Sequence, residues 1–328
     1  MAQAIRASGV RRWLSVALWS AVVLASLHAA PSTASSVDRP YDPPPGSRWI
    51  IETSVASDEK APGAAQSVVI KTRAEMTVER RTPAGFVVTY VARGVTVEGS
   101  GQQLSARRVL LQALENVEIH ATTDLSGKPL SVDNLDEVRG AVRAAVEKLG
   151  AQGQGDPRTQ AAIGRAVSGL IDAGGARLVA ALTGDLTDLA KAQNTGLEPG
   201  KYRHIFTEAD NPMGGDALRC NTMFHIADAD PVVGRLTVVG TFSYDRLSTR
   251  SFLKTIGEKF VAAVGQAKAA VIDVIVEAMV IDLDGRMLFE VEDGITRKIT
   301  ETSVTTTRAM GQNASRIENK TVTVTRAP

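Results

Sequence analysis

Two long runs of alternating residues constrain the fold more than any other feature of this 328-residue chain. In "SVVIKTRAEMTVERR" (Ser67–Arg81), apolar residues recur at even positions and charged residues at most odd ones. After the turn "TPAG", the segment "FVVTYVARGVTVEG" (Phe86–Gly99) alternates in the same way. Since successive side chains of a strand point to opposite faces, both segments predict strands with one buried face. Strands of this length predict a twisted or curved antiparallel hairpin.

Strand patterns recur in the rest of the chain. A shorter pair, "VEIHATTDL" and "KPLSVDNL", follows the first hairpin, and strand patterns resume from Pro199. The later segments are "KYRHIFTEA", "ALRCNTMFHIA", "RLTVVGTFSY", "ITRKITETSVTTT" and "RIENKTVTVTR". The last two form a threonine-rich C-terminal hairpin, and threonine favours strands.

Amphipathic helices are predicted between and after these strands. In "NLDEVRGAVRAAVEKLG", apolar residues from Leu135 onward form one helical stripe, and Gly150 is expected to end the helix. Two more helices form a predicted hairpin between Pro157 and Gln193, and another helix is predicted from Ser251 to about Ala267. We therefore expect an α+β fold of long curved antiparallel sheets with helices packed on them.

Two landmarks occur twice, in the same order. "DLSGKPL" (Asp124–Leu130) and "DLDGRML" (Asp282–Leu288) are 158 residues apart, while "PGSRWIIET" and "PGKYRHIFT", from Pro45 and Pro199, are 154 apart. Asp and Gly favour turns, so both D-x-x-G sequences predict turns between strands. The spacing suggests an internal repeat. The expected organisation is an extended proline-rich lead-in (31–48), a sheet-plus-helix unit (49–149), a linker with a helical hairpin (150–198) and a second sheet-plus-helix unit (199–328).

These landmarks resemble a family of exported bacterial proteins with no assigned function. In that family, strands begin after P/K-G-x-x-W/Y and pass through D-x-x-G-x-x-L hairpins. The matching residues are Gly46, Trp49, Asp124, Gly127, Leu130, Asp282, Gly285 and Leu288. The resemblance implies no catalytic residue. The strand pattern also resembles long curved half-barrels that carry lipid-like molecules across the bacterial envelope.

The first 30 residues have the features of an export signal. A basic front precedes the apolar stretch "WLSVALWSAVVLASL", which is too short for a typical membrane span, and small residues follow it. We expect cleavage near Ala30 or Ala34. The mature protein is then expected to be periplasmic or secreted and to have no membrane span. The pair Arg11-Arg12 leaves the general and the twin-arginine export routes both open.

Charge and cysteine content restrict the partners. Residues 1–30 contain three of the 37 basic residues and none of the 36 acidic ones, so 34 basic and 36 acidic residues remain. A chain near neutrality lacks the basic surface that nucleic acids require. Cys220 is the sole cysteine, so an intramolecular disulfide is impossible.

The sequence contains no familiar catalytic template: G-x-S-x-G, the G-x-x-x-x-G-K-[ST] loop, H-E-x-x-H and C-x-x-C are all absent. Cys220 and His225 are five residues apart, so they point to opposite faces of a strand, and Cys220 is interpreted as a buried apolar side chain. His120, His204 and His225 form a metal site only if folding brings them together. The acidic turns are interpreted as solvated, with calcium binding as the alternative.

The preferred hypothesis is therefore a non-enzymatic exported protein, without a cofactor, that binds an apolar or amphipathic molecule between sheet and helices. The predicted lining residues are Val68, Ile70, Met76, Phe86, Val88 and Tyr90. A filled core without a ligand is the simpler interpretation of the same residues. The competing function is envelope scaffolding, in which edge strands or the threonine-rich hairpin pair with a strand of an envelope protein. A hydrolase with an unrecognised site comes third.

Overall fold

Eleven strands and four helices make up the part of the chain that the computed structural model describes, residues 39–99, 111–151, 175–209, 218–264, 278–309 and 312–328. The strands are β1 (Arg48–Ala61), β2 (Ala64–Thr82), β3 (Gly85–Gly99), β4 (Glu118–Asp124), β5 (Pro129–Val132), β6 (Tyr202–Ala209), β7 (Leu218–Asp230), β8 (Arg235–Tyr244), β9 (Val280–Glu292), β10 (Ile295–Ala309) and β11 (Gln312–Arg326). The helices are α1 (Leu135–Ala151), α2 (Gly175–Leu182), α3 (Gly184–Ala190) and α4 (Arg246–Val264).

All eleven strands belong to one antiparallel sheet, in the order β5-β4-β3-β2-β1-β11-β10-β9-β8-β7-β6. Each strand pairs with its neighbours in sequence except β5 and β6, which form the two edges, and β1 also pairs with β11. The sheet thus consists of two meanders joined through the first and last strands. Long antiparallel strands are confirmed. The described chain is mainly β rather than clearly α+β. The prediction of two sheets is wrong, because the two predicted units share one sheet.

One face of this sheet forms the core. On β1, Trp49, Ile51 and Val55 are buried, whereas Glu52 between them is exposed. Ile51 lies opposite Ala74 of β2 and Val324 of β11, so apolar side chains form rows across the strands. We call this the inner face, and the face that carries Glu52 and Lys71 the outer face. The alternation predicted for the first hairpin is confirmed for β2. On β3, Thr89 and Val91 are buried along with Val88 and Tyr90, so the predicted exposed face is covered there.

Gln193, just after α3, shows that the sheet is bent. Its side-chain amide lies between the Ser126 carbonyl oxygen, 2.6 Å away, and the Thr296 amide, 3.2 Å away, and with its nitrogen assigned toward Ser126 it donates to the first and accepts from the second. Ser126 follows β4 and Thr296 lies on β10, five strand spacings apart in the sheet order, or roughly 24 Å across a flat sheet. A single amide reaches both because the sheet curves around the segment that contains α3.

The helices pack mainly where apolar stripes were predicted. Four leucines of α2 and α3 are buried in the main core, Leu178, Leu182, Leu186 and Leu189. Helix α1 begins at Leu135, as predicted. Helix α4 begins at Arg246, earlier than predicted, because the Asp245 carboxylate accepts a hydrogen bond from the Ser248 amide at 2.8 Å. The export signal, the first helix of the predicted hairpin and the end predicted near Ala267 lie outside the described residues. None of the described helices has the length and apolar character to cross a bilayer.

Only one pair of repeated landmarks has matching local structure. Gly46 and Gly200 both adopt a positive φ, 76° and 77°, immediately before β1 and β6. Asp124 begins a turn between β4 and β5, but "DLDGRML" lies inside β9, so the second predicted turn is wrong. Gly285 serves close packing instead, since a Cβ there would lie 2.5 Å from the Phe242 ring.

The threonine-rich hairpin, β10 and β11, lies in the middle of the sheet. Strand β10 pairs with β9 and β11, and β11 pairs with β10 and β1. Because both sides of this hairpin are already hydrogen-bonded, an additional strand has no place to pair. The hypothesis of strand addition to the C-terminal hairpin is therefore wrong.

Candidate functional site

The six predicted lining residues are all buried on the inner face, in two separate groups. The first group, Met76, Phe86, Val88 and Tyr90, belongs to the main core. Val68 and Ile70 form a smaller cluster with Val97 and Leu111. Binding of a ligand by either group stays a prediction.

A small cavity lies between the first group and α3. Its lining includes Met76 and Val88 from the sheet, and Leu186 and Leu189 from α3. Its volume of about 20 Å³ is enough for one water molecule. The leucines of α3 thus fill the space over these apolar rows that a ligand would need.

An ionic cluster lies where α3 packs on β10 and β11. We use this name for Asp185, Asp188, Lys191, Glu301 and Lys320. Lys320 forms an ion pair with Asp188, and its Nζ lies 3.8 Å from Asp185 Oδ1. Lys191 Nζ lies 2.5 Å from Asp188 Oδ1. The four side chains in these pairs are only 16–19% exposed, so the charges lie largely inside the fold.

One hydrogen bond and one cross-strand pairing connect the cluster to the sheet. Tyr90 of β3 donates its hydroxyl to Asp185 Oδ2 at 3.0 Å. Glu301 lies directly opposite Lys320 in the pairing of β10 with β11. The cluster therefore links the α3 segment to strands from both meanders.

Burial and neighbouring charges shift the pKa values of the cluster in different directions. Burial acts to raise the pKa of Asp188, but Lys191 and Lys320 outweigh it and hold this pKa below its ordinary value. Burial acts to lower the pKa of Lys320, and Asp188 and Asp185 reverse this effect and raise it. For Glu301, burial raises the pKa despite the two lysines. Glu301 is thus the member whose charge the fold favours least.

Polar side chains continue from the cluster along the inner face of the central strands. Two further rows cross β10, β11 and β1: Ser303–Glu318–Ser57 and Thr305–Arg316–Glu59. Arg316 donates from Nε to Ser57 Oγ at 2.8 Å and forms an ion pair with Glu318. We call these two rows the polar track.

One buried hydroxyl near the cluster lacks a partner. Thr53 is 8% exposed, and its Oγ1 makes no hydrogen bond. It lies on the inner face of β1, diagonal to Lys320 on β11. Since buried polar atoms are normally hydrogen-bonded, this hydroxyl is a candidate contact for a ligand or a water molecule.

The histidines and the cysteine do not form a site among the described residues. His204 and His225 lie on neighbouring strands near one edge of the sheet, whereas His120 lies on β4, near the other edge. No group of three or more His, Cys, Asp or Glu side chains in the described ranges is placed to hold a metal ion. Cys220 is buried, as predicted, and burial raises the pKa of its thiol.

The sequence analysis did not predict the ionic cluster, although strand alternation already places two of its members on the buried face. Lys320 has the same parity as Val322 and Val324, so the alternation of β11 already points this lysine inward. Glu301 likewise has the parity of Ile299 on β10. Their partners on α3 are more than 100 residues away in the chain, and no local pattern connects them.

No protein-family model matches this chain, and no curated protein sequence matches it. A solved structure of lipovitellin, described in terms of its lipid–protein interactions, is similar to this chain with a TM-score of 0.46 and 10% sequence identity. The match covers 87% of this chain and 26% of the lipovitellin chain, so the chain spans about a quarter of that protein. At this TM-score the match carries no argument about what this chain binds.

Proposed function

We propose that this chain is an exported, non-enzymatic protein that holds an amphipathic molecule against the inner face of its sheet. The observation that carries the proposal is the ionic cluster, which lies inside the fold next to the apolar rows. Burying charges is costly, and well-packed apolar residues serve a purely structural core at least as well. An interior that is apolar on one side and ionisable on the other matches a molecule with a polar end and an apolar end.

The helix α3 would act as the lid of this site. Its leucines cover the apolar rows, and polar contacts such as Lys320 with Asp188 and Thr296 Oγ1 with the Leu189 carbonyl oxygen (2.9 Å) hold it there. An apolar tail would replace the leucines, and a polar head would compete for the ionic cluster and the polar track. Binding thus requires α3 to move off the sheet.

Two variants on one strand test the proposal. Thr305 and Thr306 are adjacent on β10 and similarly exposed, but Thr305 faces the polar track and Thr306 the outer face. The protein is freed of copurified lipid, refolded and titrated with fluorescent fatty acid and phospholipid analogues. We expect saturable binding to the wild-type protein, about tenfold weaker binding to Thr305→Trp because the tryptophan fills the track, and unchanged binding to Thr306→Trp.

Native mass spectrometry of the protein as purified provides a second readout. A retained adduct of lipid size, lost in Thr305→Trp and kept in Thr306→Trp, supports the proposal. An adduct-free wild-type protein that also fails to bind every probe contradicts it. Equal weakening in both variants would place binding elsewhere and would contradict it as well.

A further inference from the structure

The two edges of the sheet differ in their capacity to accept another strand. Strand β5 has four residues and begins with Pro129, whereas β6 has eight residues and no proline. Among the described residues, β6 pairs only with β7. Within the described chain, the second side of β6 therefore presents backbone groups without a strand partner, which act as a template for another strand unless the edge is short or interrupted.

Aromatic side chains make the outer face of this edge apolar. Tyr202 and Phe206 are 61% and 78% exposed, and His204 lies between them on the same face. The Tyr202 ring lies 5.0 Å from the His225 ring of β7. The cross-strand row of Tyr202 and His225 continues toward the middle of the sheet to Val239 of β8, which is buried. Two large exposed aromatic rings on a free strand edge are typical of an interaction surface.

We propose that the free edge of β6 pairs in antiparallel fashion with β6 of a second copy of this chain. The pairing forms a two-fold symmetric dimer with one continuous sheet, and it does not depend on the proposed ligand. A two-fold axis through His204 places Tyr202 of each copy opposite Phe206 of the other. Cross-strand aromatic pairs of this kind stabilise antiparallel sheets, and the symmetry supplies the pair twice.

The charges along β6 agree with this register. Centred on His204, the pairing sets Arg203 opposite Ile205, Lys201 opposite Thr207 and Glu208 opposite Gly200. No two residues of like charge lie directly opposite each other, so no directly opposed charges disfavour this register. Because a single eight-residue strand buries less than the ~1,200 Å² of a standard interface, we expect a weak dimer that forms reversibly with concentration.

Sedimentation velocity over a concentration series measures this dimer. We expect a reversible monomer–dimer equilibrium for the wild-type protein. In Phe206→Asp it should weaken at least tenfold, because two carboxylates would enter the aromatic contact. Val232→Asp is the matched control, since Val232 is 86% exposed in the turn between β7 and β8. A wild-type protein that stays monomeric at every concentration overturns the proposal, as does equal weakening in both variants.

Cysteine cross-linking identifies the register directly. In a Cys220→Ser background, which leaves no other cysteine, His204→Cys should form a disulfide-linked dimer under mild oxidation, because the two-fold axis brings the residue next to its own copy. Leu247→Cys, in an exposed position of α4, should not. Circular dichroism verifies that each variant is folded. Cross-linking that is no faster at position 204 than at 247, in a folded protein, contradicts the proposed pairing.

Discussion

Lys320 shows at the scale of one residue how charge is accommodated in the interior of the sheet. It is on the same face of β11 as Val322 and Val324, which are buried. An isolated ammonium would be strongly unfavourable there. Asp188 and Asp185 offset this cost and raise the pKa of Lys320 despite its burial, so the side chain stays charged.

Replacing Lys320 with a neutral side chain of similar length tests this dependence. Lys320→Met leaves the carboxylates of Asp185 and Asp188 with one lysine in the cluster, and we expect the free energy of unfolding to fall by about 3 kcal/mol. Urea denaturation measures the loss. Lys71→Met, on the exposed outer face of β2, is the control and should change stability by less than about 0.5 kcal/mol. Equal stability of the two variants would show that the cluster pairs contribute little.

Glu301 gives the opposite prediction: replacing this member of the cluster should stabilise the protein, by an amount that depends on pH. Burial raises its pKa in the folded protein, so folding favours the protonated form, and the associated stability is lost as pH rises through the folded pKa. The ionised group therefore opposes folding at neutral pH. Glu301→Gln should unfold at a higher urea concentration than wild type near pH 7, and this difference should shrink toward about pH 5.

The Asp188 carboxylate does not interfere with this comparison between pH 7 and about pH 5. The pKa of Asp188 lies below its ordinary value, so its stabilising contribution is lost only at more acidic pH. Glu52→Gln, on the outer face of β1, is the control and should leave the pH dependence of the urea midpoint unchanged. A Glu301→Gln variant less stable than wild type near pH 7 would show that attraction to the lysines exceeds the cost of burial.

At the scale of elements, strands with one solvent-exposed face were predictable from the sequence, whereas contacts between distant elements were not. The hairpin of β2 and β3 was located to within a few residues because its charged and apolar positions alternate. The "DLDGRML" segment was misread because Gly285 has a role that only tertiary contacts reveal. The Phe242 ring and the Thr302 carbonyl oxygen occupy the space that a Cβ would take.

The candidate site divides in the same way. The predicted lining residues were correctly placed on a buried face, since strand periodicity determines which residues share a face. The filling of that face by α3 was not predictable, because Leu189 reaches Thr296 across more than 100 residues of chain. The ionic cluster depends on the same distant contact.

The packing of α3 on the sheet gives a prediction for this element. Leu186 is buried against the apolar rows, and Leu186→Ala should lower the free energy of unfolding by about 3 kcal/mol, through lost contacts and an enlarged cavity. Leu247→Ala removes the same atoms from a side chain that is 77% exposed and should have little effect. Urea denaturation compares the two. Similar small losses in both variants would show that α3 is only loosely attached.

At the scale of the whole molecule, the pairing of β1 with β11 joins the beginning of the described chain to its end. Twelve residue pairs connect these strands, and the buried Trp49 lies at one end of the ladder. The Arg297 guanidinium of β10 lies 4.8 Å from the Trp49 ring centroid. Since the tryptophans at 13 and 19 lie in the predicted signal, fluorescence of the mature protein reports on this junction.

The single sheet predicts a single cooperative unfolding transition. Trp49 fluorescence and far-ultraviolet circular dichroism should give the same urea midpoint, because separating the two meanders exposes β1, β11 and their shared apolar rows at once. Two independent sheet units, as the repeated landmarks suggested, would instead give two steps in circular dichroism, only one of them seen by Trp49.

Dividing the chain makes the same prediction more stringent. Residues 31–198 contain β1 to β5, and residues 199–328 contain β6 to β11. Expressed separately, each piece exposes an apolar central strand edge where β1 or β11 has lost its partner, so neither should unfold cooperatively alone. Mixing the pieces during refolding should restore part of the cooperative transition, because the ladder of β1 with β11 can form between chains. A sharp transition in either isolated piece would show that the meanders are independent units that merely share an edge.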